Sequence, residues 1–229
     1  MAPRGTTRAV AAALGADAGI AAAKFVGYLL TGSSAMLAES VHSVADTTDQ
    51  LLLLIGRHQA RRRPDTLHQF GYGRSRYFNS FIVALMLLTL GAIFALYRGY
   101  QRITHPEPLK ATTVAIAIIA VAAVLEGYSL WTARGQSERL KGSGNWWHFI
   151  RTSRTPELPV VLLEDSAALL GLGFAFAGVT LTAITDNPVW DGIGTLAIGV
   201  LLAAIAIVLI VETHSLLIGE GATREQYTT

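Results

Sequence analysis

With 229 residues, 52% of them hydrophobic, and a mean hydropathy of +0.43, the chain is too apolar for an ordinary soluble domain. Its net charge of +2 is too small to mark a nucleic-acid partner, and the absence of cysteine excludes disulfides and thiolate metal ligands. The apolar residues gather in segments about 20 residues long, the length a helix needs to cross a hydrocarbon core. That pattern predicts an all-α polytopic membrane protein. Its six transmembrane helices are expected at about 8–30, 36–56, 77–97, 111–131, 159–184 and 192–213, with no soluble domain between them.

Arg4 and Arg8 precede the first apolar run in the manner of a signal peptide, but the run contains Asp17 and Lys24 and lacks a cleavage site, so it reads as a retained span. Gly15 and Gly19 stand in a GxxxG spacing that permits close helix packing or arises by chance in an Ala/Gly-rich helix. Asp17 and Lys24, seven apart, share a face; they are expected to face the interior, with snorkelling of Lys24 to the interface as the alternative. A turn at Thr31–Ser34 leads into the second span, LAESVHSVADTTDQLLLLI. At about 100° per residue, Glu39, His42, Asp46 and Asp49 fall within an arc of about 80° and make one polar stripe.

The connection to span three carries six arginines, and Pro64, Gly71 and Gly73 mark it as a loop. Pro106 and Pro108 stop the helix after span three. Glu126 is the one acid of span four, and the polar stretch from Ala133 to Glu157 ends with span five and its Glu164–Asp165 pair. Trp146 and Trp147 in that stretch are suited to a lipid interface. Asp186-Asn187-Pro188 turns the chain into span six, and residues 216–229 form a polar tail. Lys and Arg number thirteen on the side of the N-terminus and three on the other, which places both termini in the cytoplasm, as an even number of spans requires.

Ionisable side chains inside a bilayer are costly and mark ion pathways by default. His42 and Asp46, four apart, stack on one helical face and can share a cation; the structural alternative is that the stripe pairs with Lys24 or with helix ends. Glu164 and Asp165 point about 100° apart, so one of them is expected to face the same centre; the alternative is an acidic helix start stabilised by the helix dipole. Glu39 and Asp49 flank the central pair as accessory or proton-linked groups, or as contacts to neighbouring helices. Asp17, Glu126 and Asp191 read as interhelical hydrogen-bonding groups. His58, His105, His148 and His214 read as solvated, while Asp65 and His68, three apart, suggest a weak metal site in the cytoplasmic loop. No GxSxG, P-loop, HExxH or cysteine nucleophile is present, and Ser43 points away from His42, so an enzyme is not expected.

The stretches GSSAMLAESVHSVADTTDQLLLLIG, PDTLHQFGYGRSRYF, EDSAALLG, NPVWDGIGTLAIGVLL and LLIGEGAT together resemble the cation diffusion facilitator family, the zinc-transporter-like metal exporters, over nearly the full chain. LLEDSAALLG looks most like the branch that holds the animal mitochondrial zinc exporter. The resemblance implies a homodimer in a lipid bilayer, here taken as a bacterial inner membrane. It also implies efflux of a divalent cation, zinc first, against protons by alternating access, with no permanently bound cofactor. The metal ligands it implies are His42, Asp46 and Asp165. The fourth position is Val161, where many zinc-transporting members have His. An apolar side chain cannot ligate, so Glu164, Glu39 or water is expected to complete the set, which admits Mn²⁺, Fe²⁺ or Co²⁺ as cargo. A non-transporting scaffold of the same fold is the rival. Family members usually continue into a cytoplasmic α+β domain, and here the chain stops at Thr229, where that domain is expected to begin.

Overall fold

A computed structural model describes residues 4–141, 145, 146, 150 and 157–218. Among the described residues the chain is all-helical, with six long helices: α1 (Arg4–Thr31), α2 (Ser34–Gln59), α3 (Ser75–Thr104), α4 (Thr112–Lys141), α5 (Glu157–Thr185) and α6 (Val189–Ile218). Each covers one expected span, α4 beginning at Thr112 where 111 was expected, and each extends past it at the C-terminal end. The largest extension is at α4, which runs to Lys141 where a polar connection was expected from Ala133. Polar composition does not end a helix, and Arg134 and Glu138 form an i, i+4 ion pair at 3.8 Å within the extension. The tail from Gly219, together with Trp147 and His148, lies outside the described residues. Trp146 packs beneath two cations, with the Arg134 guanidinium 5.4 Å and the Lys141 ammonium 4.9 Å from its ring centroid.

Among the described residues four helices, α3 to α6, are long and apolar enough by composition to cross a membrane. α2 is as long, but Glu39, Asp46 and Asp49 interrupt its apolar sequence. Its failure to register as apolar is the stripe itself. The interior is built from small residues, with Ala35, Ala38, Ala84, Ala95, Ala167 and Ala175 at or near zero exposure, and with Met36, Leu87, Leu172, Ile198, Leu202 and Leu209 filling between them. Large apolar side chains such as Leu29, Val124, Ile184, Val200 and Ile207 remain on the outside, where lipid takes the place of water.

Helix contacts are closest where glycine removes the side chain. A methyl at Gly99 of α3 would lie 2.8 Å from the Leu196 backbone nitrogen of α6, and one at Gly199 2.8 Å from that of Leu96. Gly178 and Gly194 do the same between α5 and α6, the first against the Trp190 carbonyl at 2.9 Å and the second against that of Phe174 at 2.8 Å. The GxxxG pair of α1 takes no part in this: nothing lies within 4 Å of a methyl built at Gly15 or Gly19. Among the described residues the spacing brings no close helix contact. In its middle α3 carries a π-helical segment, Leu87–Ile93, which presents Gly91 to Leu202 of α6.

Asp191, at the start of α6, fixes where α2 begins. Its Oδ1 accepts from the Ser33 hydroxyl at 2.5 Å, and its Oδ2 accepts from the Ser34 amide and hydroxyl at 2.7 and 2.8 Å. Arg102 of α3 pairs with the same Oδ2 at 3.2 Å, and the Asp191 amide donates to Thr182 of α5 at 3.1 Å. A carboxylate on free amides of a helix start is favoured by both hydrogen bonding and the helix dipole. The expectation of an interhelical role for Asp191 therefore holds, across four helices. The turn before α2 closes because Gly32 adopts φ +70°, and Lys110 of the next loop on that side donates its amide to Thr31 at 2.9 Å.

Candidate cation site

With its start pinned, α2 carries its stripe along the inside of the bundle. Glu39, His42 and Asp49 are completely buried, and the Asp46 side chain is 18% exposed. His42 Nδ1 stands 3.3 Å from Asp46 Oδ1, so the two donors four residues apart do meet. Their approach lacks hydrogen-bond geometry, and both imidazole nitrogens and Asp46 Oδ1 have no hydrogen-bond partner. Both carboxylate oxygens of Asp49 and Oε1 of Glu164 are buried in the same condition. Leaving a buried polar atom unpaired costs about 1–3 kcal/mol, more when it is charged. A cluster of such atoms on two facing helices is therefore a place prepared for a partner.

α5 supplies the opposing groups. Glu164 lies within electrostatic reach of Asp46 and Asp49, and its neighbour Asp165 turns toward α4, where its Oδ2 accepts from the Ser129 hydroxyl at 3.0 Å. The adjacent acids therefore divide as helix geometry requires: Glu164 addresses the stripe and Asp165 the α4 side. Val161, half-buried, packs against the apolar core and offers no donor. Among the described residues no three His, Asp or Glu side chains stand close enough together to hold an ion. The donors are paired and within reach of one another without forming a closed cage.

Glu39 follows the structural alternative. Its Oε2 pairs with the Lys24 ammonium of α1 at 3.1 Å, and Lys24 reaches Ser43 at 2.7 Å and Glu126 of α4 at 3.3 Å. Lys24 is buried at 0% exposure and does not snorkel. Its seven-residue spacing from Asp17 placed it on an inward face, but only the fold brings it to Glu126, 102 residues away.

Asp65 in the α2–α3 loop has a different task. Its Oδ1 accepts from the amides of Leu67 and His68 at 3.0 and 2.7 Å, and its Oδ2 accepts from the Tyr72 hydroxyl at 2.5 Å. The Tyr72 hydrogen bond, backed by the His68 amide, holds the Asp65 carboxyl down at about 2 and pushes the Tyr72 hydroxyl up. His68 Nδ1 lies 3.3 Å from the same carboxylate, whose oxygens already serve the turn.

Long apolar helices enclosing a buried stripe of ionisable side chains describe a multi-pass membrane protein that handles charge, and a sequence model of the cation efflux transmembrane domain matches residues 10–218. The chain belongs to the cation efflux family. That is a family of transporters and not of enzymes. Its relatives include the mitochondrial proton-coupled zinc antiporter SLC30A9 of Xenopus laevis, 37% identical over 206 residues, which is 89% of this chain and 37% of the relative. Metal tolerance protein C4 of Arabidopsis thaliana is 35% identical over 93% of this chain and 47% of its own length. Zinc transporter ZitB of Pectobacterium atrosepticum is 30% identical over 58% of this chain and 41% of its own. The chain thus spans less than half the length of each of these relatives.

Proposed function

We propose that this chain is the transmembrane unit of a divalent-cation exporter, with zinc as the first-choice cargo and protons as the counter-ion. The observation that carries the proposal is the set of unpartnered buried donors on α2 and α5: both nitrogens of His42, Asp46 Oδ1, Asp49 and Glu164 Oε1. Relatives named as a proton-coupled zinc antiporter and as zinc transporters support the cargo and the coupling.

In this reading His42 and Asp46 take the ion first, because they already meet at 3.3 Å. A small shift of α5 toward α2 brings in Asp165 or Glu164. Imidazole and carboxylate must give up their protons to bind a metal, so loading expels protons and protonation expels the metal. His42 is the candidate carrier, since an imidazole nitrogen holds a metal or a proton but not both. Six spans, cytoplasmic termini, alternating access and a homodimer in an energised membrane complete the proposal. Because Val161 withholds a nitrogen donor, the donor set is richer in oxygen than a two-histidine site and admits Mn²⁺, Fe²⁺ or Co²⁺.

The test is transport by the full chain in sealed proteoliposomes under an imposed pH gradient, comparing Zn²⁺, Mn²⁺, Fe²⁺, Co²⁺ and Cd²⁺. Uptake that collapses when the gradient is dissipated supports antiport. Uptake indifferent to the gradient points to a channel, and no uptake together with no metal binding points to a scaffold.

A further inference from the structure

The Lys24 junction is a buried group of charges that the transport reading does not use. An ammonium has three N–H donors, and Lys24 spends one each on Glu39 Oε2 at 3.1 Å, Ser43 Oγ at 2.7 Å and Glu126 Oε1 at 3.3 Å. These acceptors come from α2 and α4 and converge on a point that α1 fills with its own charge. Two features show that the point is undersupplied. Two carboxylates against one ammonium leave one negative charge over, in a place where Glu39 and Lys24 have no exposure. Glu39 Oε1 is buried without a partner and aims at Gly171 of α5, where a side-chain carbon would collide with it. A divalent ion would cancel both carboxylates, where the ammonium cancels one.

We propose that Glu39, Ser43 and Glu126 form a second cation site, separate from the His42–Asp46 pair, which Lys24 occupies with a tethered ammonium and so closes to metal. The donors are all oxygen, so the site fits a hard divalent ion of the Mn²⁺ or Mg²⁺ kind and not a soft one. Lys24 is then a specificity-determining residue: it restricts the membrane interior of each protomer to one exchangeable ion. This inference goes beyond the transport reading and stands without it.

The experiment counts bound ions on the purified full chain by equilibrium dialysis against Mn²⁺. Lys24→Gln is expected to bind one more Mn²⁺ per protomer than the wild type, and adding Glu39→Gln should remove that extra ion. Folded K24Q with the wild-type count, or an extra ion that survives K24Q/E39Q, overturns the proposal. If K24Q is not monodisperse, K24M, which leaves Glu39, Ser43 and Glu126 in place, must gain the ion at saturating Mn²⁺; a folded K24M without it is equally decisive. Asp46→Asn separates the two sites. The extra ion of K24Q must persist in K24Q/D46N, and its loss there would merge the sites and overturn the proposal. A wild-type count unchanged by D46N would instead count against the cargo site while leaving this one intact.

Discussion

α2 carries two buried polar clusters, and they are opposites. At its start, Ser33, Ser34 and the Asp191 carboxylate satisfy one another through short hydrogen bonds, and Arg102 pairs with that carboxylate at 3.2 Å although its Nε and Nη2 make no hydrogen bond. Two to four turns further on, His42 and Asp49 are completely buried and Asp46 is 18% exposed, and both nitrogens of His42, Asp46 Oδ1 and both oxygens of Asp49 make no hydrogen bond. Both clusters are desolvated. The Asp191 carboxylate recovers that cost inside the protein, and so belongs to the fold; the stripe leaves it unrecovered, and so belongs to a ligand.

If that distinction is right, substitutions should separate stability from transport. Asp46→Ala is expected to reduce gradient-driven metal uptake to the liposome background, with Asp165→Ala close behind, while the thermal midpoint in detergent stays at or above that of the parent. A D46A protein that transports normally would remove the assigned site. Asp191→Ala should do the reverse. It leaves Arg102 with only the exposed Glu107 at 3.6 Å and frees the amides of α2, so it should lower stability by about 3–5 kcal/mol, read as a denaturation shift or loss of monodisperse protein. If D191A instead keeps its stability and loses only transport, the two clusters are not different in kind.

The α2 stripe was legible in the sequence because the helical period alone gathers Glu39, His42, Asp46 and Asp49 on one side of an apolar run. The division of labour within it was not. Glu39 differs from Asp49 only through Lys24, and the decision between an interior and a snorkelling Lys24 rests on Glu126, a partner from a distant span. Asp191 showed its role in type but not in address, since Ser33 and Ser34 lie over 150 positions away. The α1 GxxxG spacing could mark a close contact or chance, and among the described residues the close glycine contacts lie on α3, α5 and α6 instead. Helix ends were the least readable feature: α4 outlasts its apolar stretch, and the polar residues there are compatible with helix, Arg134 and Glu138 pairing at i, i+4.

A smaller effect is expected at Val161. Replacing it with His adds a nitrogen donor one turn before Asp165, and should shift selectivity toward Zn²⁺ over Mn²⁺ by about tenfold, on the scale by which single changes around a metal alter affinity. Competition uptake assays would show it; an unchanged ratio would mean that residue 161 does not address the ion.

The smallest effect concerns the α2–α3 loop, a satisfied cluster exposed to solvent. Asp65 sits at about 2 when the loop is ordered, below the ordinary carboxyl value, so its contribution is complete above about pH 4. It fades as pH falls from there toward 2. Tyr72→Phe removes the principal cause and should move that fading upward in pH without altering transport at neutral pH. Limited proteolysis of the loop at graded acidic pH would follow it, and identical profiles for parent and variant would show that the hydroxyl is not what holds the carboxylate.

The π-helical stretch of α3 has a consequence for tolerance to length. Its wider i→i+5 turns take up residues that an α-helix would have to count, so they act as slack in the phase of the helix. Removing the exposed Thr89 from within it can be absorbed by tightening to α, with Gly99 still opposite Leu196. Removing one residue between Phe94 and Gly99 has no such reserve. Everything beyond it would turn by about 100° and swing a side chain into the backbone of α6, so α3 should accept a deletion at Leu87–Ile93 and reject it a turn later.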